Sequence, residues 1–235
     1  MNYVIPSRAP TTLPVAGTHA KFPVDRVFCI GRNYHWGAGS APSRVMPPWF
    51  MKPNSAVLPA SGALPYPAGT TDFCHEIELV VAIGLGGRDI VPEHAEHKHI
   101  WGYAAGLDLT RRDLQQLAKL GGAPWEAAKA FDHSAPCTPL VPASVCGHPK
   151  TGAIWLNVNG IERQRSDLSA LLWSVPELVA MLSRSVMLLP GDLIYTGTPS
   201  GVGALQIGDV VSGGVETIGE FTMTVVGPQR QDEPA

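Results

Sequence analysis

The stretch FCHEIELVVAIG, residues 73–84, decides the fold class, because it is the clearest strand in the sequence. It is rich in apolar and β-branched residues and ends at a glycine-rich turn. RVFCIG at residues 26–31 predicts a second buried strand, and AIWLNVNGIERQ at 153–164 predicts a hairpin that turns at Asn159 and Gly160. Residues 188–226 indicate further strands joined by glycine turns. Together these patterns predict a β-rich fold.

Helices are predicted at three places between the strands. One begins at Pro92, one runs from Thr110 or Arg111 to Leu120, and one covers residues 174–185. The 25 glycines and 22 prolines favour turns and short strands over long helices. We therefore expect a mainly β fold with a few helices (α+β), with an N-terminal arm or short strands over residues 1–24 and a single domain over 25–235.

Composition excludes several classes of protein. The 235 residues carry a net charge of −3 and no cluster of lysine and arginine, which argues against nucleic-acid binding. No run approaches the ~20 apolar residues of a membrane span. The four cysteines are widely spaced, without a C-x-x-C pair, so a disulfide framework or zinc ribbon is not expected. These features favour a cytoplasmic protein whose ligand is a small molecule.

Two glutamates interrupt the apolar strand. Alternate residues of a strand point to the same face, so Glu76 and Glu78 are expected to project side by side, away from His75 and Ile77. Two unpaired carboxylates repel each other, and a hard cation such as Mg²⁺, Mn²⁺ or Ca²⁺ removes that penalty. The alternative is an edge strand with one solvated face, which the apolar continuation LVVAIG disfavours.

A third acidic residue and a polar pair follow in GYAAGLDLTRRDLQ, residues 102–115. Asp108 ends an apolar stretch just before the predicted helix, and is a candidate metal ligand or an N-cap. Arg112 and Gln115 are three residues apart on that helix, share a face, and suit a carboxylate and a carbonyl oxygen. The alternative is a solvated helix face, which we expect for Arg111 and Asp113.

The order of motifs resembles the fumarylacetoacetate hydrolase family. The motifs are GRNY at 31–34, KP at 52–53, HEIELVVAIG at 75–84, GYAAGLDLTRRDLQ at 102–115, KAFD at 129–132, VNGIERQ at 158–164, LLPGDLIYTGTPSGVG at 188–203 and GD at 208–209. The resemblance runs from about Arg26 to the end of the chain. It implies a mixed β-sandwich roll, assembled as a homodimer, with residues 25–235 as the catalytic domain.

The resemblance also implies a site. Mg²⁺ or Mn²⁺ would be bound by Glu76, Glu78 and Asp108, and a 2,4-dioxo acid would chelate it through its carboxylate and 2-oxo oxygen. The residues expected around the substrate are Arg112, Gln115, Lys129, Thr198 and Tyr34. In this scheme the metal acts as a Lewis acid, and Lys129 adds positive charge where oxyanion charge develops. From the residues alone, the simplest interpretation of Lys129 is a surface lysine, and that of TGTP is a tight turn.

Within the family, the sequence is most similar to bacterial members of aromatic catabolism that hydrolyse acylpyruvates such as fumarylpyruvate. The implied reaction is metal-dependent hydrolysis of a C–C bond, which yields pyruvate and a carboxylic acid. Two alternatives remain open. One is a non-hydrolytic 2-oxo acid tautomerase, isomerase or decarboxylase on the same metal site, and the other is a binding protein without turnover.

The loop after Tyr34 departs from the pattern of the hydrolytic members. They carry a histidine and a glutamate three and six residues after the tyrosine, and these activate the attacking water. Here those positions are Gly37 and Ser40. His35 is a candidate substitute base, although a simple loop histidine is the alternative, and His133 is a second candidate.

Overall fold

The computed structural model describes residues 4–6, 8–35 and 44–228. In this part of the chain four sheets account for the strands. A two-stranded sheet contains β1 (Thr12–Pro14) and β2 (Lys21–Pro23). A three-stranded sheet contains β7 (Phe73–His75), β10 (Thr110–Arg111) and β16 (Gly203–Ala204), with β7 in the middle. The mainly β class expected from the sequence is confirmed.

The largest sheet lies at the centre of the fold. Its strands are β3 (Val27–Ile30), β4 (Trp49–Lys52), β5 (Val57–Pro59), β8 (Ile77–Ile83), β9 (Ile100–Leu107), β11 (Ala135–Cys137), β12 (Val141–Pro142) and β15 (Leu193–Tyr195). Their order is β4–β3–β15–β8–β9–β11–β5, with β12 paired to β9. β3 and β15 run parallel, and β8 and β9 form a long antiparallel pair.

A five-stranded sheet packs against the central one. It contains β6 (Gly62–Pro65), β13 (Ala153–Val158), β14 (Ile161–Asp167), β17 (Val210–Val215) and β18 (Gly219–Val226), in the order β14–β13–β17–β18–β6. The predicted hairpin is confirmed, because β13 and β14 are joined at Asn159 and Gly160, whose φ angles are 53° and 75°. Positive φ at both positions is typical of a two-residue hairpin turn.

Within the described ranges, five short helices connect the strands. They are α1 (Pro92–His94), which continues as a π-helical turn (Ala95–His99), α2 (Arg112–Gly121), α3 (Glu126–Lys129), α4 (Ala143–Cys146) and α5 (Val175–Ser185), with 3₁₀ turns at Asn54–Ala56 and Leu168–Ala170. A capping box of Ser174 and Glu177 starts α5, and Gly122, in the left-handed conformation, ends α2. Among the described residues no helix has the length and apolarity to cross a membrane.

The apolar sequence of β8 is explained by burial on both faces. Leu79 and Val81 belong to a core cluster that includes Ile154 of β13. Val80, between them, belongs to a second cluster that includes Leu13 of β1. Neither face of β8 therefore reaches solvent, and the alternative of a solvated edge strand for the two glutamates is wrong.

The structure corrects two expectations about this region. Residues 73–84 are not one strand: the chain leaves β7 at His75 and enters β8 at Ile77, so Glu76 lies between two strands of different sheets. Asp108 is not an N-cap, because β10 follows it and α2 has Arg111 at its N-cap position. Its backbone N–H instead donates to the carbonyl oxygen of Glu76 at 2.9 Å, which joins the two acidic segments.

Candidate active site

Three buried carboxylates lie close together at the place where β8 begins and β9 ends. Glu78 lies on β8 opposite Gly106, Glu76 precedes the strand, and Asp108 follows β9. One oxygen from each of the three carboxylates lies within 4.8 Å of the others. The antiparallel register of β8 and β9 therefore brings together the three residues that the sequence suggested as metal ligands.

Three cations surround these carboxylates. Lys129 Nζ lies 2.9 Å from Glu76 Oε2 and 2.8 Å from Asp108 Oδ2. Arg112 Nη2 lies 2.7 Å from Glu76 Oε1, and Lys52 Nζ lies 2.9 Å from Asp108 Oδ1. Lys129 is buried, so the alternative of a surface lysine is wrong. Burial of Glu76, Asp108, Lys52 and Lys129 together is tolerated because each of the four has an opposite charge in contact.

The pKa of Glu78 is shifted upwards, whereas that of the neighbouring Asp108 is shifted downwards. Burial, together with the negative charges of Asp108 and Glu76, holds the pKa of Glu78 well above its ordinary range. For Asp108, burial raises the pKa, but the charges of Lys129 and Lys52 outweigh it and leave the value low. Burial lowers the pKa of Lys129, and the same two carboxylates, Asp108 and Glu76, more than reverse that effect. Glu78 is thus the carboxylate whose charge is least compensated.

The donor set fits a hard divalent cation. Glu78 Oε2 accepts a hydrogen bond from the Gly197 N–H at 2.7 Å, but Glu78 makes no ion pair with any described residue. A cation held by oxygens of Glu76, Glu78 and Asp108 would supply the missing positive charge. Carboxylate oxygens without nitrogen or sulfur ligands suit Mg²⁺, Mn²⁺ or Ca²⁺.

The carboxylates open onto a cavity of about 310 Å³. Four of the predicted substrate residues line it together: Arg112, Gln115, Lys129 and Thr198. The remaining lining residues are Ile30, Gly31, Arg32, Phe50, Glu76, Glu78, Asp108, Lys119 and Trp125.

Several polar groups in the cavity are oriented by hydrogen bonds. Gln115 Oε1 accepts from Arg112 Nη1 at 2.6 Å and from Lys119 Nζ at 3.3 Å, which leaves its NH₂ group as a donor. Thr198 Oγ1 accepts from Gln164 Nε2 at 2.8 Å. On the helix face that was expected to be solvated, Asp113 is half-buried, and its carboxylate accepts from the Thr70 hydroxyl at 2.6 Å.

Three of the predicted residues are not in the cavity. Tyr34 is buried in the core, and its hydroxyl has no hydrogen-bond partner among the described residues. His35 is exposed and does not line the cavity, and His133 lines a separate groove beside Phe131. Tyr34 is thus packed in the core, and its predicted role at the substrate stays a prediction. Gly37 and Ser40 lie outside the described residues.

Sequence reasoning missed some residues of the site. Lys52 belongs to the KP motif, but nothing near it in sequence signals burial beside Asp108. Lys119 carries a usable signal, because it lies four residues after Gln115 and therefore on the same face of α2. Phe50 and Trp125, which pack together at 5.8 Å between ring centroids, come from separate segments and had no local signal.

Known proteins resemble this chain over most of its length. Residues 26–226 match the family model described as fumarylacetoacetate (FAA) hydrolase C-terminal. A fumarylpyruvate hydrolase from a Ralstonia species is 44% identical over 177 residues, covering 75% of this chain and 91% of the relative. A mitochondrial oxaloacetate tautomerase from Homo sapiens is 37% identical over 205 residues, covering 86% of this chain and 92% of the relative.

A solved structure agrees with the fold as well. The crystal structure of fumarylpyruvate hydrolase from Pseudomonas aeruginosa, in complex with Mn²⁺ and pyruvate, matches with a TM-score of 0.92 and 50% identity. The match covers 96% of this chain and 99% of that one.

Replacement of Glu78 by glutamine should change the pH dependence of stability, because it removes the carboxylate whose charge is least compensated. Because the pKa of Glu78 is raised in the folded chain, its contribution to stability is complete below the unfolded pKa of about 4.3 and is lost as the pH rises above it. Without metal, Glu78→Gln should therefore be more stable than the wild type at pH 7, and this difference should shrink towards pH 4. Thermal unfolding in a chelator across this range measures it.

Metal addition provides the second half of this test. Mg²⁺ or Mn²⁺ should raise the melting temperature of the wild type but not of Glu78→Gln, because the variant lacks one ligand. Glu93→Gln, at an exposed glutamate, is the control and should respond to metal like the wild type. Equal stabilisation of Glu78→Gln and wild type by metal would contradict the assignment of this ligand.

Proposed function

Because the chain belongs to the fumarylacetoacetate hydrolase family, we propose that it is a metal-dependent enzyme that hydrolyses the C–C bond of an acylpyruvate, such as fumarylpyruvate. The products would be pyruvate and a carboxylic acid. The observation that carries this proposal is the cavity in which Glu76, Glu78 and Asp108 meet Lys129 and polar hydrogen-bond donors. A relative with bound Mn²⁺ and pyruvate supports it.

Charge balance favours an anionic substrate. The three carboxylates are already offset by Lys52, Lys129 and Arg112, so a divalent cation would leave the cluster with a net positive charge. When bound to the carboxylates, Mg²⁺ or Mn²⁺ would act as a Lewis acid towards oxygens of the substrate. Both cations accept such a ligand set, and the proposal covers both.

The charged and polar side chains have distinct roles in this reaction. Cleavage of an acylpyruvate leaves the pyruvyl part as an enolate, and Lys129, which is buried and charged, stabilises negative charge on its oxygen. The Gln115 NH₂ group and the Thr198 hydroxyl are placed to bind carboxylate or carbonyl oxygens of the pyruvyl group. Arg112 holds Gln115 in place and offsets the charge of Glu76.

The cavity lining also suits an acyl group that carries its own carboxylate. Phe50 and Trp125 offer flat apolar surfaces for a conjugated chain. Lys119 and Arg32 line the same cavity, and Arg32 makes no ion pair with any described residue. Burial and the nearby charges of Arg112 and Arg32 lower the pKa of Lys119, as expected where cations crowd without enough anions. A distal carboxylate would relieve that repulsion.

Tautomerisation of oxaloacetate is the second candidate, and one observation favours it. No histidine lies among the described residues that line the cavity, and Gly37 and Ser40 replace the water-activating pair of hydrolytic members. Interconversion of enol and keto forms needs a stabilised enolate but no attacking water. Relatives named oxaloacetate tautomerases, such as the human protein, agree with this reading.

An assay on two substrates separates these candidates. Metal-loaded protein should release pyruvate from fumarylpyruvate, measured by coupled reduction of the pyruvate, and a chelator should abolish the release. Glu76→Ala should lower the rate by at least about 100-fold, because it removes a metal ligand. Accelerated enol–keto conversion of oxaloacetate, without pyruvate release from any acylpyruvate, would replace hydrolysis with tautomerisation.

Lys119→Met tests recognition of the distal carboxylate. The KM for fumarylpyruvate should rise roughly 5-fold, the effect of losing a partly exposed ion pair worth about 1 kcal/mol. The KM for acetylpyruvate, which has no distal carboxylate, should stay unchanged. Lys98→Met, at an exposed lysine outside the cavity, is the matched control. An equal rise in KM for both substrates would show that Lys119 does not bind the distal group.

A further inference from the structure

Gln164 is the one buried residue of a strand whose other residues are exposed or half-buried. It lies on β14, the edge strand of the five-stranded sheet, where both neighbours, Arg163 and Arg165, are exposed. Its side chain points away from solvent towards the central sheet and is 1% exposed. Burial of a polar amide is costly unless its donors and acceptors are all satisfied.

The amide of Gln164 satisfies all four of its hydrogen-bonding positions. Its Oε1 accepts from the Ile77 backbone N–H at 3.1 Å and contacts His75 Nδ1 at 2.9 Å. Its Nε2 donates to Thr198 Oγ1 at 2.8 Å and to the Pro199 carbonyl oxygen at 2.9 Å. One side chain thus connects the acidic strand to the loop after β15.

The backbone hydrogen-bond partners of Gln164 determine which position of its amide is Oε1 and which is Nε2. The Ile77 N–H can only donate and the Pro199 carbonyl can only accept, so exchange of Oε1 and Nε2 would create two repulsive contacts. Two consequences follow for the side-chain partners. His75 Nδ1 must carry a proton, and Thr198 Oγ1 must accept from Gln164, so the Thr198 hydroxyl directs its own proton to a different acceptor.

Both connected segments belong to the active site. Ile77 is the residue between Glu76 and Glu78, at the break between β7 and β8, so Gln164 anchors the peptide group that separates these two carboxylates. Thr198 lines the cavity, and the preceding Gly197 N–H donates to Glu78.

The loop that contains Thr198 packs closely against β14, as the hydrogen bond between Gln164 and Thr198 requires. A methyl group on Gly201 would lie 1.9 Å from the Arg163 carbonyl oxygen, and Gly201 has a φ of +98°. Only glycine permits this approach, which brings the loop within reach of the Gln164 side chain.

We propose that Gln164 is a positioning residue of this site, which anchors the peptide group between the two glutamates and directs the Thr198 hydroxyl proton towards the carboxylate of a bound 2-oxo acid. The inference rests on the proposed function, because it assumes such a ligand in the cavity. Gln164 itself does not line the cavity, so it acts through Thr198 and the acidic strand.

Pyruvate binding to the Mn²⁺-loaded protein tests the connection to Thr198. In Gln164→Glu the new carboxyl group accepts a hydrogen bond from Thr198 instead of donating one, which draws the hydroxyl proton out of the cavity. Thr198→Val removes the same donor. Each variant should weaken pyruvate binding about tenfold, and the double variant should be no weaker than the weaker single variant. Gln206→Glu, at an exposed glutamine, should bind like the wild type.

The possible results separate this inference from the proposed function. Wild-type protein that binds no pyruvate would overturn both. Pyruvate binding that is unchanged in Gln164→Glu, or losses that add fully in the double variant, would overturn the positioning role alone.

A measurement on the unaltered protein tests the amide orientation without any variant. Long-range ¹⁵N–¹H NMR of the histidines should show a proton on His75 Nδ1, since Gln164 Oε1 is an acceptor at that contact. An unprotonated Nδ1 would mean that the amide lies the other way round, and the proposed direction of the Thr198 hydroxyl would be wrong.

Discussion

Compensation of buried negative charge is the constraint on which this structure depends. Glu76, Glu78 and Asp108 lie in an apolar region where an uncompensated charge costs several kcal/mol. Lys52 and Lys129 come from two other elements, β4 and α3, to offset it. These ion pairs therefore hold β4 and α3 against the central β8–β9 pair. They leave Glu78 as the one of the three carboxylates with no described cation in contact.

Under the proposed function, the same arrangement accounts for the choice of an anionic ligand. The three carboxylates and the cations Lys52, Lys129 and Arg112 have a formal charge sum of zero, so a divalent cation beside Glu78 would make the site positive, and Lys119 adds positive charge to the cavity lining. In the proposed function the Gln115 amide and the Thr198 hydroxyl, both of which line the cavity, donate directional hydrogen bonds to the ligand. An anionic 2-oxo acid with a second carboxylate satisfies both requirements. The five-stranded sheet contributes through Gln164, which joins the acidic strand to the Thr198 loop.

Local rules predicted the features that depend on neighbouring residues. The hairpin at Asn159 followed from turn chemistry, and the E-x-E pattern indicated that Glu76 and Glu78 lie together, although Glu76 lies at the break between β7 and β8 and not within one strand. Features that depend on distant residues escaped prediction. Lys52 lies 56 residues from Asp108 in sequence, and nothing near Lys52 signals that contact. Asp108 was open to interpretation as an N-cap, because the two-residue strand before α2 pairs only with a distant segment.

Magnetic resonance of the bound metal tests the central claim most directly. The claim is that a 2-oxo acid chelates a cation held by Glu76, Glu78 and Asp108. In the electron paramagnetic resonance spectrum of Mn²⁺-loaded protein, pyruvate labelled with ¹⁷O at its carboxylate and keto oxygens should broaden the Mn²⁺ lines relative to unlabelled pyruvate. Lines that are identical with labelled and unlabelled pyruvate at saturation would contradict the claim.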